Sequence, residues 1–189
     1  MKRLTEQSFL RDVASHEMAV ELNNGIYRRV VFKRRENAWL HRFELVTWPG
    51  ALCIRGDVGT YVFSRLNDMF EFFRQEPGDL FGKVDRRYWA EKCVSHDRGG
   101  LMEFSPALFR DNITRWVDEY IENHVDDVDS DQLRFDVDAD VLFHCDEEQA
   151  AHTAARDFEF NHRAIFQDFY EVNCREFTLR FTWCCHALA

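Results

Sequence analysis

Sharp turns set at short intervals are the strongest constraint on this chain. Trp48-Pro49-Gly50 and Gly56-Asp57-Val58-Gly59 interrupt the segment from residue 27 to residue 65, and Asn23-Asn24-Gly25 stands just before it. Pro and Gly at these positions favour tight turns, and the runs between them are too short for helices of ordinary length. Residues 27–34, 40–48, 52–55 and 60–65 are apolar or alternating, with His41, Phe43, Leu45 and Thr47 on one side of the second run. Short runs of this kind joined by tight turns predict an antiparallel meander of three or four strands.

The pattern changes on either side. Thr5 caps an expected helix running to about Val20, with Phe9, Val13 and Val20 in one stripe, and Asn23-Asn24-Gly25 ends it. Residues 66–74 and 85–96 read as helices. Ser105 followed by Pro106 is a helix start, and Phe109, Ile113, Trp116, Val117 and Tyr120 follow at helical spacing to about His124. Residues 133–143 fit two conformations. Strict alternation of Leu133, Phe135, Val137, Ala139, Val141 and Phe143 favours a strand, whereas Leu133, Val137 and Val141 also make one face of a helix. Residues 147–158 are alanine-rich and helical, and residues 177–189 suit either state. The expected fold class is α+β: an antiparallel meander of three or four strands followed by a mostly helical C-terminal half. The 189 residues read as one domain, strand-rich to about residue 75, helical and acidic from about residue 85.

Charge is unevenly distributed. Residues 118–148 hold thirteen Asp and Glu against one basic residue, Arg134, while residues 1–57 hold ten Lys and Arg against seven acids. The net charge of −10 is therefore concentrated in one region, where it creates a field suited to a basic partner surface and hostile to nucleic acid. Arg28, Arg29, Lys33, Arg34 and Arg35 form a basic cluster on the first strand. Its simplest role is to keep an exposed strand from edge pairing, ahead of phosphate contact; pairing with the acidic region of this or a second copy is a further use.

No apolar run approaches the roughly 18 residues of a membrane span, and residues 1–10 lack the apolar core of a signal peptide, which predicts a cytosolic protein. The six cysteines at 53, 93, 145, 174, 184 and 185 have no paired spacing, and free, buried thiols are expected.

Candidate chemistry is sparse. Asp127-x-Asp129-x-Asp131 opens like a calcium loop, but Gln132 replaces the required Gly, Arg134 stands at an apolar position and Asp138 is short for the final chelator. His144-Cys145, Cys184-Cys185-His186, Cys174 and His162 lack zinc spacing, and core thiols are the better account. No nucleotide-loop or hydrolase motif is present, and Gly56-Asp57-Val58-Gly59 is a turn. Neither a cofactor, a metal nor a catalytic residue is implied.

The stretches FELVTWPG (43–50), GDVGTYVFSR (56–65) and DMFEFFR (68–74) resemble a widespread family of small proteins of tailed bacteriophages and prophages. Tyr88-Trp89, Glu103-Phe104-Ser105 and FTWCCHA (181–187) extend the likeness over most of the chain. The resemblance implies a helix at the C-terminus and helix over 133–143. It also implies a phage accessory protein in the cytoplasm of the bacterial host. Such proteins often act by binding a host protein, and an acidic one can present carboxylates where DNA presents phosphates. By that analogy the expected function is counter-defence, with anti-CRISPR activity favoured. The partner would be a host nucleic-acid-binding complex, with no direct nucleic-acid or membrane binding and a monomer or homodimer as the active form. Asp126, Asp127, Asp129, Asp131, Asp136, Asp138, Asp140, Glu147 and Glu148 would form the contact surface. The alternatives are a small phage enzyme acting on a nucleotide or signalling molecule, and a regulatory or assembly adaptor using Phe70, Phe72, Phe73, Tyr88 and Trp89.

Overall fold

A computed structural model gives the structure, and residues 4–35, 39–74, 84–125 and 127–189 are described. The chain divides into two compact units, one built from Met1–Met102 with Phe177–Ala189, the other from Glu103–Glu176.

The first unit opens with helix α1, Glu6–Val13, closed at its start by a reciprocal bond between Thr5 and Ser8. Six strands follow in sequence order: β1 His16–Asn24, β2 Tyr27–Arg34, β3 Phe43–Trp48, β4 Ala51–Gly56, β5 Thr60–Phe63 and β6 Cys93–His96. Every neighbouring pair is antiparallel. The meander is therefore longer than the expected three or four strands. Two short helices, α2 Met69–Phe73 and α3 Arg86–Glu91, lie between β5 and β6.

Three boundaries differ from expectation. The first helix stops at Val13 rather than Val20, because residues 16–24 pair with β2. Asn24-Gly25 is accordingly a hairpin turn, with Gly25 at φ 59°, a value glycine adopts without penalty. The helix expected over 85–96 ends at Glu91, and Cys93-Val94-Ser95-His96 joins the sheet beside β5. In the 66–74 segment Asp68 sets the start, its side chain accepting from the Phe70 amide.

Turn chemistry holds the middle of the meander. Gly50 sits at φ 81° after Pro49, the signature of a type II turn. A Cβ at Gly56 would overlap the Arg42 carbonyl and the Phe43 backbone, so no larger residue fits there. The Gly56 amide donates to the Gly59 carbonyl across the next turn at 3.0 Å.

Leu52 and Ile54 on β4, Tyr61 and Phe63 on β5, and Phe43 on β3 alternate into the core. The last helix, α7 Leu179–Leu188, packs there, with the Phe181 ring 5.3 Å from Tyr61 and Trp183 5.4 Å from Phe43. This helix buries Phe181, Thr182, Trp183, Cys184, Cys185 and Leu188, so it is enclosed almost all round.

The chain leaves the first unit through β7, Met102–Phe104, and returns through β10, Arg175–Phe177, which pairs with it. The second unit contains α4 Pro106–Asn123, α5 Ser130–Asp140 and α6 Glu148–Asp157, then a small hairpin of β8 Glu159–Phe160 and β9 Arg163–Ala164. Ser105 caps α4, accepting from the Leu108 amide at 3.2 Å and donating to Glu176 at 2.6 Å. Phe109, Ile113 and Val117 of α4 meet Leu133, Val137 and Val141 and the small Ala151 and Ala155 in one core. The 133–143 segment is therefore helical for most of its length, and the alternation that suggests a strand does not describe its burial.

Candidate interaction surface

The second unit holds twenty Asp and Glu against six Arg, a formal −14, and the first unit is correspondingly +4. Excess charge of this size is held in place only because most of the carboxylates face water. Asp127, Asp129, Asp131, Asp138, Asp140 and Glu147 are exposed, and Asp136 and Glu148 are half-exposed; Asp126 lies outside the described residues.

These residues are not equivalent. Asp129 is the cap of α5, its Oδ1 3.1 Å from the Gln132 amide. Asp136 accepts from Gln132 Nε2 at 2.6 Å. Glu148 is clamped by Arg175, with Nε and Nη2 2.7 and 2.6 Å from its two oxygens, which lowers its pKa. Asp127, Asp131, Asp138, Asp140 and Glu147 make no ion pair among the described residues. They are the carboxylates free to meet an external cation.

Helix geometry adds a feature that alternation hides. With Leu133 and Val137 facing inward, Asp131, Phe135 and Asp138 share the outward stripe of α5. Phe135 is 69% exposed, and Phe143, just past the helix, is 76% exposed. Two large apolar side chains are thus presented to water among carboxylates. The signal in the sequence was helical phase: placing Leu133, Val137 and Val141 inside forces Phe135 out.

A separate groove of about 860 Å³ is lined by the acidic Asp140, Glu147 and Glu159 together with Ala150, Ala154 and Phe158.

The basic cluster of the first unit is not comparable. Arg28 pairs with Asp68, Arg29 with Glu44 and Glu21, and Arg35 with Glu17, while Arg34 donates to the Asp12 carbonyl at 2.6 Å. Glu44 is only 3% exposed, and burial alone would raise its pKa; the bonds from Arg29 and Arg55 outweigh that and lower it. Arg28 and Arg29 are thus held by acids within the fold, whereas the Arg35 pair is exposed on both sides and Lys33 is exposed.

The aromatic set at 70–89 is likewise mostly structural. Phe73 and Trp89 are buried, with rings 4.8 Å apart, and Phe72 stacks its edge on Phe73; Tyr88 is the exposed member.

Residues 130–140, which a calcium loop starting at Asp127 would need, are helix. Among the described residues no group of three or more His, Cys, Asp or Glu is arranged to hold a metal ion. All six cysteines are free thiols. Burial pushes the thiol pKa up at Cys53, Cys93, Cys174, Cys184 and Cys185, the opposite of what a nucleophile needs.

One polar corner lies in the first unit. Trp183 donates to Asp12 at 3.1 Å, and His16 Nε2 lies 3.0 Å from the carbonyl of His41, whose φ is 54°. His16 Nδ1, His41 Nδ1 and Arg34 Nε are buried and make no hydrogen bond among the described residues. His41 Nδ1 is 3.9 Å from Asp12 Oδ1, too far for a hydrogen-bonded acid–base pair.

Among the described residues no helix is long and apolar enough to cross a membrane. The chain matches no protein-family model, no curated protein and no solved structure.

Proposed function

We propose that the protein is a phage-encoded counter-defence protein of the bacterial host cytoplasm. In this reading it binds a nucleic-acid-binding host complex, a CRISPR effector foremost, and blocks its access to DNA. The observation that carries the reading is the acidic second unit, whose carboxylates at Asp127, Asp131, Asp138, Asp140 and Glu147 face water without internal counter-ions among the described residues. Lys and Arg side chains that grip a phosphate backbone accept such a surface in its place, and the attraction weakens with salt. Arg28 and Arg29 of the first unit are already paired with Asp68 and Glu44.

The test is capture of tagged protein on CRISPR-active host lysate at low and high salt. Recovery of the effector complex at low salt and its loss at high salt, or on changing Asp131, Asp138 and Asp140 together to Asn, is the expected result. Capture indifferent to both overturns the mimicry.

An enzyme acting on a nucleotide or signalling molecule is the second reading, and the corner formed by Asp12, His16, Arg34 and His41 is the observation that favours it. Turnover of a nucleotide panel that is lost in His16→Ala and His41→Ala would establish it.

A further inference from the structure

We infer that the groove beside α6 is a seat for a basic, amphipathic helix of the partner protein. This rests on the reading that the second unit meets a basic protein, and it says what part of that protein docks and where. The groove combines two features that a phosphate mimic does not need. Its lining is partly apolar and short-chained, with Ala150 exposed, Ala154 half-buried and Phe158 buried beside the polar Gln149, Thr153 and His144. Its rim is acidic: Asp140, Glu147 and Glu159 are all exposed, and none forms an ion pair among the described residues. Asp157, also on the rim, is occupied by Arg156 at 2.7 and 3.1 Å.

The shape selects the occupant. The lining residues of α6 run from Gln149 to Asp157, a length of about 12 Å at the usual helical rise. Alanines one turn apart let a second helix approach closely, since the distance between packed helices is set by the side chains at the contact. An extended strand is a poorer occupant, because the backbone groups of α6 are already bonded within the helix and offer no ladder. A nucleic-acid backbone is repelled by the rim. A helix with leucine-like residues on one face and Lys or Arg flanking them places apolar atoms on Ala150, Ala154 and Phe158 and cations against Asp140, Glu147 and Glu159.

The experiment uses the full chain and fluorescence anisotropy of a labelled amphipathic peptide of about 15 residues, leucine on one face and lysine on the other. A control peptide carries the same lysines with serine for leucine. The amphipathic peptide is expected to bind at least tenfold more tightly than the control. Ala150→Trp, at an exposed position of α6, and Ala154→Trp, at a half-buried one, each weaken it tenfold or more. Asp140→Asn combined with Glu147→Gln does the same, whereas Glu119→Gln with Glu122→Gln, exposed on α4, leaves it within twofold. Circular dichroism of each variant reports that the fold is kept. Equal binding of the two peptides, full affinity in both Trp variants, or no binding of the amphipathic peptide overturns the inference. The broader reading fails separately: an effector complex captured by Asp131→Asn with Asp138→Asn and by the groove variants as well as by the native chain contradicts the acidic surface itself, while capture lost only in Asp131→Asn with Asp138→Asn contradicts the groove alone.

Discussion

Arg28 and Asp68, forty residues apart in the chain, form a two-toothed ion pair, with Nη1 and Nη2 2.7 and 2.8 Å from the two carboxylate oxygens. The pair ties β2 to the start of α2, because the same carboxylate accepts from the Phe70 amide at 3.1 Å. A residue that reads in the sequence as one of five basic surface groups is thus a structural clamp. Replacing Asp68 with Ala removes both the clamp and the cap. The expected loss is about 1–3 kcal/mol by urea unfolding, with Asp68→Asn, which keeps a capping oxygen, at the lower end. No change in Asp68→Ala would contradict the clamp.

Acid sensitivity follows from the same pairs. The bond from Arg28 lowers the pKa of Asp68, and the bond from Arg175 lowers that of Glu148. In Glu44 burial pulls upward and is outweighed by Arg29 and Arg55, so the net direction is also down. A carboxylate whose folded pKa lies below its unfolded value adds stability that is fully present above the unfolded pKa. That stability is lost as pH falls through the folded value. Unfolding free energy should therefore be flat near neutrality and fall below about pH 4, the ordinary carboxylate range. Glu44→Gln should flatten this acid limb while lowering stability at pH 7.

Thiol reactivity tests whether any cysteine can serve as a nucleophile. Cys145, Cys174, Cys184 and Cys185 are buried, and burial raises the pKa of the last three. Alkylation of these four in the native protein at pH 8 should be slow and become complete in denaturant. A cysteine that reacts rapidly in the folded protein would restore a nucleophile to consideration.

Two phenylalanines make opposite predictions. Phe181 of α7 is fully buried against Tyr61 of β5, so Phe181→Ala should cost about 3–5 kcal/mol. Phe135 is presented to water, so Phe135→Ala should change stability by less than about 0.5 kcal/mol. Weaker partner capture by Phe135→Ala at unchanged melting temperature would mark it as a contact residue.

Much of this architecture is legible in sequence where the determinants are local. Pro49-Gly50 and Gly56 to Gly59 set the hairpins, and Ser105-Pro106 starts α4 where expected. Expectation fails where distant partners decide. Residues 16–24 and 93–96 are strands because β2 and β5 offer them edges. The outward acids were visible as composition, but α5 carries apolar residues at both periods, and only packing against α4 chooses the helical phase that exposes Phe135. The commitment of Arg28, Arg29 and Arg35 to internal acids joins residues that no spacing rule connects. The groove depends on how α6 meets the segments around it, which has no local signature.

The most direct measurement is CRISPR interference in living cells that express the protein, read as plating efficiency of a targeted phage. The native chain is expected to restore plating, and the chain with Asp131, Asp138 and Asp140 all changed to Asn, at equal abundance and melting temperature, is not. Equal restoration by both chains, or none by the native chain, would contradict the proposed mimicry.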